Sequence, residues 1–389
     1  MITLVLQGKI YSPDPLGIKD ILIAGEKIIA LEEPGHINIQ GIDVQKIDAT
    51  GKKIIPGIID AHVHLLGGGG EGGPSTRAPE ITLSQIISHG VTTVVGCLGT
   101  DGTTRHVESL LAKARALEKE GITTFIYTGS YQIPVTTITG NVRSDLVLID
   151  KVIGAGEVAL SDHRSSQPTF EQIAQLAAEC RVGGMLGGKA GILHLHIGHG
   201  ERRLDYLFRL AKETEIPITQ IIPTHVNRKH LLKDAVQFAL MGGYIDLTAN
   251  EEPPAGTTIL LPTKEAMKYC LEKNVPIERI TISSDSNGSL PRFDDRGNFV
   301  GLSVATQGPL KNGFQALVRE NILNLSQAAK IFSSNTACFL KLGKKGRIKV
   351  GYDADLVLLD EKLEITDVLA RGKRMFGEGK ILVKGTFEN

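Results

Sequence analysis

The chain has 389 residues, 41% of them hydrophobic and 22% charged, with 43 basic and 43 acidic side chains. This composition is typical of a soluble globular enzyme, and the zero net charge excludes a strong field for nucleic acid or an acidic membrane surface. The four cysteines lie far apart, which argues against a zinc ribbon and a secreted disulfide scaffold. No apolar run approaches the roughly 20 residues that span a bilayer, and the N-terminus lacks a basic signal region, so we expect a cytoplasmic protein.

The first 50 residues alternate short apolar strands with turns and show no helical periodicity. The predicted strands are Thr3–Leu6, Ile21–Ala24 and Ile28–Leu31. An all-β segment this short cannot bury a core of its own, so it must pair with another part of the chain.

From Ile54 onwards, short apolar strands alternate with amphipathic helices. The run Ile54–His64 supplies the first predicted strand; the others are Val91–Leu98, Ile122–Thr128, Glu157–Ser161, Gly191–His196, Pro217–Thr224, Tyr244–Thr248 and Arg279–Ser284. The predicted helices are Arg105–Glu120, Thr169–Glu179, Arg203–Thr214, Leu231–Met241 and Thr263–Glu272. Eight strand-then-helix units predict an α/β fold of the (β/α)8 TIM-barrel type. The alternative, an open doubly wound sheet, lacks a Gly-x-Gly-x-x-Gly motif after the first strand.

After a last helical stretch at Ser326–Leu342, the chain returns to β structure between Gly346 and Lys384. Two β-rich ends that flank a barrel can satisfy each other's edges. We therefore predict a small composite β domain built from residues 1–53 and 344–389, with the barrel over residues 54–343.

Ionisable side chains stand at the predicted strand ends, which is where a barrel of this type carries its active site. His62 and His64 are two residues apart on one strand and therefore project to the same side. Further strands contribute His196, His225 and Asp285, and Glu157 lies on the fourth. A single histidine at a strand end is more often structural, but this many buried imidazoles and carboxylates are costly unless paired or metal-bound. The pattern predicts a metal site.

These residues resemble the motif of the amidohydrolase superfamily and, within it, the isoaspartyl dipeptidase family. The matching segments are His62–Leu65, Gly67–Glu71, Gly99–Asp101, Thr136–Gly140, Ser161–Arg164, Pro223–Arg228, Ser283–Asp285, Asn287–Ser289, Gly351–Leu356 and Val383–Glu388. They span the whole chain. The resemblance implies a binuclear hydrolase that binds two divalent ions and cleaves small dipeptides. Zn²⁺ is the metal we expect.

One position departs from the family pattern. Relatives carry a carboxylated lysine on the fourth strand as the bridge between two metals, whereas this chain has Glu157, in a stretch one residue longer. We expect Glu157 to bridge the metals. The alternatives are Lys151, at the preceding turn, and a mononuclear or inactive site.

The resemblance implies one ion held by His62, His64, Glu157 and Asp285, and a second held by Glu157, His196 and His225. A hydroxide would bridge them. Asp285 would accept its proton and pass it to the leaving amine, and Tyr131 would hydrogen-bond the developing oxyanion.

For the substrate, Glu71 suits an α-ammonium group, and the glycine loop at Gly69 permits close backbone approach. Arg164 and Arg228 suit bidentate capture of carboxylates. Supporting contacts are expected from Thr100, Tyr131 and Ser289. His194 is not predicted as a ligand, and His199 is expected to be ordinary.

Two alternative functions on the same fold stay open. A dihydroorotase-, hydantoinase- or D-aminoacylase-like hydrolase would not need Glu71 or the paired arginines. A non-catalytic oligomeric scaffold would be marked by lost metal ligands, and here only the bridging lysine is changed. The family resemblance also implies a homo-oligomer, such as an octamer, with no nucleic-acid or membrane partner.

Overall fold

The computed structural model describes residues 1–251, 260–294 and 298–388. Its strands are β1 Ile2–Tyr11, β2 Pro15–Ala24, β3 Lys27–Glu32, β4 Gln45–Asp48, β5 Lys53–Pro56, β6 Ile58–Val63, β7 Val91–Gly96, β8 Thr123–Thr128, β9 Val152–Leu160, β10 Ile192–Ile197, β11 Ile221–Thr224, β12 Ile245–Thr248, β13 Ile280–Ser283, β14 Ser289–Phe293, β15 Phe299–Val304, β16 Leu356–Leu359, β17 Ile365–Ala370, β18 Lys373–Gly377 and β19 Lys380–Ile381. Its α-helices are α1 Leu83–Ile87, α2 Val107–Glu120, α3 Val142–Leu148, α4 Phe170–Leu186, α5 Asp205–Glu213, α6 Leu232–Leu240, α7 Thr263–Glu272, α8 Gly308–Arg319, α9 Leu325–Ala329 and α10 Asn335–Phe339.

A barrel of parallel strands forms the larger part of the fold. Strands β6 to β11 pair in chain order, and β12 pairs with β13. The last strand returns to the first, since a parallel bridge joins Val63 to Ser286 and the His64 N–H donates to the Ser286 carbonyl at 3.0 Å. Helices cover the outside, where side chains such as Leu110 and Leu207 are fully buried. The predicted TIM-barrel class is confirmed.

The two ends of the chain form one sheet, in the order β19-β18-β17-β16-β5-β1-β2-β3, with β4 beside β1. The junction is the antiparallel pair β5–β16, in which Ile55 faces Val357. Ile10, Ile54 and Leu356 are buried in the same apolar cluster. The predicted composite β domain is therefore present, and each terminal segment supplies the pairing edge that the other lacks.

The predicted first barrel strand is divided between two sheets. Residues 53–56 pair in the terminal sheet, and the barrel strand begins at Ile58. Gly57 makes the crossing: its N–H donates to the Asp355 carbonyl at 2.9 Å, and a side chain at this position would lie 2.1 Å from Thr92 Oγ1. The Pro56-Gly57 dipeptide within the apolar run was the available sign of this switch.

The predicted helix at Thr169–Glu179 and the predicted strand at Glu157–Ser161 are both shorter than in the structure, for the same reason. Helix α4 continues seven residues past Glu179, and β9 begins five residues before Glu157. The parts that were not predicted contain glycines, which lower both helix propensity and strand propensity. In the structure these glycines allow close packing, because a Cβ at Gly184 would lie 2.7 Å from Gly191 Cα and one at Gly154 would lie 2.4 Å from the Ile192 carbonyl oxygen.

Helices α1, α3 and α8 and the hairpin β14–β15 were not predicted. The hairpin follows the last barrel strand and brings Leu290 and Leu302 to the edge of the central cavity. Among the described residues, no helix is long and apolar enough to cross a membrane.

Candidate metal centre and substrate pocket

The six side chains predicted as metal ligands converge at the carboxyl end of the barrel. His62, Glu157 and His196 lie on β6, β9 and β10. The other three lie one or two residues past the ends of β6, β11 and β13: His64, His225 and Asp285. The last two adopt left-handed backbone conformations, with φ of 61° and 53°, which cost a non-glycine residue about 1 kcal/mol or more and are typical of functional sites.

Glu157 lies between two histidine pairs. Its Oε2 is 3.3 Å from His62 Nε2 and 3.8 Å from His64 Nε2. Its Oε1 is 2.7 Å from His196 Nδ1 and 3.1 Å from His225 Nε2. Because each oxygen faces a different pair, this fully buried carboxylate has the geometry of a bridge.

A β-bulge directs Glu157 into the centre. Between β9 and β10, Ala155 pairs with Leu193 and Val158 with Leu195, so two residues of β9, Gly156 and Glu157, oppose the single residue His194 of β10. The additional residue expected from the sequence is accommodated in this bulge. Gly156 is required there, because its φ is 153° and a Cβ would lie 2.6 Å from the His194 carbonyl oxygen. Lys151, the alternative bridge, precedes β9 at its opposite end and pairs with Glu118.

The donor atoms fit divalent metal ions. His62 Nε2 and Glu157 Oε2 are buried and have no hydrogen-bond partner within the described part of the chain. An unpaired buried nitrogen facing an unpaired buried carboxylate oxygen is costly, and a cation between them would satisfy both. The donor atoms form three groups, within each of which they lie no more than 4.8 Å apart: His62, His64, Cys97 and Glu157; His62, His225 and Asp285; and Glu157, His196 and His225.

Without metal, these groups form a network of opposite charges. Burial acts to lower the pKa of His62, but the neighbouring Cys97 and Glu157 outweigh it and hold that pKa well above its ordinary value. Burial acts to raise the pKa of Glu157, but His62 and His196 hold it well below the ordinary value. Because imidazoles bind metals only when neutral, metal uptake must displace protons from this cluster.

Each histidine of the cluster has a further side-chain contact. His62 Nδ1 lies 2.8 Å from His194 Nε2, and His196 Nε2 lies 3.0 Å from Asp162 Oδ2. The other two contacts join His225 Nδ1 to Thr248 Oγ1 at 2.7 Å and His64 Nδ1 to Cys97 Sγ at 3.9 Å. Partners such as His194, Asp162 and Thr248 fix the ring orientation and the tautomer of a metal-binding histidine.

The sequence analysis missed these supporting residues. His194 precedes His196 by two residues on the same strand face, which was the available signal. Asp162 lies in the segment Ser161–Arg164, in which only Arg164 was predicted to have a role. Nothing in the local sequence identifies Thr248 or Cys97, since their roles depend on contacts between strands.

A cavity of about 620 Å³ opens beside the cluster. All seven residues predicted to bind substrate line it: Gly69, Glu71, Thr100, Tyr131, Arg164, Arg228 and Ser289. The structure thus brings the two predicted sets of residues to one site.

One wall of the cavity is the glycine loop. Glu71 accepts hydrogen bonds from Thr100 Oγ1 at 2.9 Å and Ser289 Oγ at 3.3 Å. Buried Arg105 holds the loop, donating to the carbonyls of Gly69 at 3.2 Å and Gly68 at 3.0 Å. Arg105 was assigned from the sequence to the start of a helix, and its role follows only from the fold.

Two arginines also line the cavity, and Arg164 lies next to the glycine loop, with its Nη1 3.4 Å from Glu71 Oε1. Asp162 accepts two hydrogen bonds from the Arg164 guanidinium, from Nε at 3.0 Å and from Nη2 at 2.9 Å. Arg228 Nη1 lies 3.0 Å and 2.9 Å from the two ring nitrogens of His199. Burial and the Arg228 charge lower the pKa of His199 to about 4, so His199 is neutral and can accept from the guanidinium. His199 is therefore a pocket residue, not the ordinary histidine that was expected.

Tyr131 stands between the cluster and the cavity. Its hydroxyl lies 2.9 Å from His196 Nδ1, and the Arg164 guanidinium lies 5.2 Å from its ring centre. Burial and the nearby Glu157 raise the pKa of Tyr131 well above its ordinary value. The phenol therefore stays protonated and can act as a hydrogen-bond donor.

A sequence model of the amidohydrolase family matches residues 54–376 of this chain. The crystal structure of β-aspartyl dipeptidase from Fervidobacterium islandicum AW-1 in complex with β-Asp-Leu is 46% identical, with 98% of each chain covered and a TM-score of 0.89. A dihydroorotase of Streptococcus thermophilus is 25% identical, covering 92% of this chain and 90% of that enzyme. An adenine deaminase of Halalkalibacterium halodurans is 24% identical over 94% of this chain, which spans about half of that protein (55%).

Proposed function

The chain belongs to the amidohydrolase family, and we propose that within this family it is a metal-dependent β-aspartyl (isoaspartyl) dipeptidase, a metallopeptidase of the omega-peptidase type. The observation that carries the proposal is one cavity lined by a carboxylate, Glu71, and two arginines, Arg164 and Arg228, with the donor cluster beside it. A β-aspartyl dipeptide has an ammonium group, two carboxylates and an amide bond, which match these features.

The metal centre would use all six converging side chains. His62, His64 and Asp285 with Glu157 Oε2 would hold one ion, and His196 and His225 with Glu157 Oε1 would hold the second. When bound, two divalent ions supply an activated water and polarise the scissile carbonyl. Histidine and carboxylate donors suit Zn²⁺.

Asp285 is the proposed proton carrier. Its Oδ1 lies 3.1 Å from His64 Nε2 and 3.4 Å from His62 Nε2. Burial acts to raise the pKa of Asp285, but His225 and its neighbours hold it well below the ordinary value, so the carboxylate is ionised. It can accept a proton from the attacking water and return it to the leaving amine, while the Tyr131 hydroxyl stabilises the developing negative charge.

Glu71 and Arg164 would bind the charged groups of the substrate. Without substrate, Arg164 Nη1 lies 3.4 Å from Glu71 Oε1, so the two residues compensate each other. A zwitterionic dipeptide replaces this ion pair with two pairs of its own. Arg164 keeps its pairing with Asp162 in either case. A substrate that lacks the ammonium group but displaces Arg164 would leave the Glu71 carboxylate with only the hydroxyl donors of Thr100 and Ser289, which is costly.

A substrate panel separates this proposal from other amidohydrolase activities. The zinc-loaded protein is offered β-Asp-Leu, dihydroorotate, a hydantoin and an N-acyl amino acid. We expect turnover of β-Asp-Leu alone. Preferred turnover of a cyclic amide would replace the dipeptidase assignment with that of the dihydroorotase relatives, and no turnover of any compound would favour a scaffold role.

Glu71→Gln should lower kcat/KM for β-Asp-Leu by about 10- to 100-fold, because losing one partner of a charge pair costs about 2 kcal/mol. N-acetyl-β-Asp-Leu lacks the ammonium group and should lose much less. Glu108→Gln, at an exposed position of α2, is the matched control. An equal loss for both substrates would refute ammonium recognition by Glu71.

His194→Leu should weaken zinc binding by about 10- to 100-fold, because it removes the partner of His62 Nδ1. His194→Gln keeps a polar partner and should restore part of the affinity. Zinc affinity is measured by competition with a chelating dye, and thermal unfolding confirms folding. His106→Gln, exposed at the start of α2, is the control. Wild-type affinity in the leucine variant would exclude the positioning role.

A further inference from the structure

Cys97 directly follows β7, beside the donor cluster. The side chain is buried, and its Sγ lies 3.7 Å from the Val63 carbonyl oxygen and 3.9 Å from His64 Nδ1. One donor atom from each of His62, His64, Cys97 and Glu157 lies within 4.8 Å of the other three. The cysteine therefore belongs to a group of four possible ligands, two of which have the unpaired atoms described above.

We propose that the Cys97 thiolate is a ligand of the first metal ion, an inference that rests on the metal centre of the proposed function. Ligation forms one metal–sulfur bond and releases the thiol proton. Apart from Asp285, the donors are then two imidazoles, one thiolate and one carboxylate oxygen. Four protein donors are typical of closed zinc sites, which hold the ion tightly.

The two ions would then have different surroundings. The second group, Glu157, His196 and His225, offers three protein donors, which is the arrangement of an open, catalytic site. In the first group, four protein donors remain around the ion while Asp285 carries a proton. The soft thiolate also favours zinc over harder ions such as Mn²⁺ or Mg²⁺ at this position.

The other cysteines provide internal controls. Cys180 and Cys270 are buried within the main apolar core, and Cys338 is exposed. Within the described ranges, none of these three belongs to a group of possible metal ligands.

Cobalt substitution tests the inference without substrate. The full-length protein is stripped of metal, loaded with Co²⁺, assayed for bound cobalt, and its near-ultraviolet absorption is recorded. We expect a thiolate-to-cobalt charge-transfer band in the wild type and in Cys338→Ser, and its loss in Cys97→Ser and Cys97→Ala. Thermal unfolding checks that the variants fold, and the wild-type spectrum alone already tests the claim.

The outcomes separate the inference from the proposed function. Bound cobalt without the band, or a band that survives in Cys97→Ser, overturns ligation by Cys97 even if β-Asp-Leu is hydrolysed. The band together with an inability to hydrolyse β-Asp-Leu supports Cys97 and rejects the dipeptidase. Failure to bind cobalt overturns both.

Discussion

Glu157→Ala is expected to reduce the bound metal from two ions per chain to one or none, and to lower kcat/KM for β-Asp-Leu by at least about 10³-fold. The physical reason is that both histidine pairs share this carboxylate. Removal of the carboxylate leaves the second ion with only His196 and His225 as protein donors. It also takes one donor from the first ion, on the side of His62. Metal-based stabilisation of the transition state supplies several kcal/mol, and each 1.36 kcal/mol is worth about tenfold in rate.

Metal content by elemental analysis and steady-state kinetics are measured on the same preparation. Glu272→Ala, at an exposed position of α7, is the control and should retain both ions and activity. Glu157→Asp separates charge from reach: the shorter side chain should bind metal more weakly than the wild type but better than the alanine variant. Two ions at full occupancy in Glu157→Ala would refute the bridge.

Asp285→Asn is expected to lower kcat by about 10²- to 10⁴-fold, the contribution typical of general acid–base catalysis. Asparagine keeps an oxygen donor, so both ions should stay bound and KM should change little. That split distinguishes the loss of a proton carrier from the loss of the metal centre. Kinetics and metal analysis are compared with Asp150→Asn, a change in an exposed ion pair with Arg115. A variant with wild-type kcat would remove Asp285 from the mechanism.

The positions of the candidate ligands could be predicted because a barrel strand is short and its end is easy to locate. His62 and His196 lie on strands whose predicted ends are within one residue of those in the structure. Parallel strands of one barrel bring their carboxyl ends to one rim, so the order of strands along the chain was enough to place the residues together.

The supporting contacts could not be predicted because they form between strands that are distant in sequence. The partnership of His62 with His194 spans 132 residues, and that of His225 with Thr248 spans 23. The bulge at Gly156 was visible only as one additional residue. The switch between sheets at Gly57 was marked only by the Pro56-Gly57 dipeptide in an otherwise apolar run.

Several sequence-based assignments stay predictions: the domain boundaries at residues 53 and 343, the cytoplasmic location, the homo-oligomer and the identity of the metal as zinc. The boundaries follow from the pattern of strands and helices, and the others from composition, donor type or the family resemblance. The dipeptidase proposal rests instead on the cavity and its charged walls.

The most direct test of the dipeptidase is hydrolysis of β-Asp-Leu against α-Asp-Leu by the zinc-loaded protein, with and without a chelator. The two peptides have the same atoms and charges, and differ only in the carboxyl group of aspartate that forms the amide bond. We predict cleavage of β-Asp-Leu alone, with activity lost on chelation and regained on return of zinc. Equal cleavage of both peptides, or cleavage that survives complete metal removal, would contradict the proposed function.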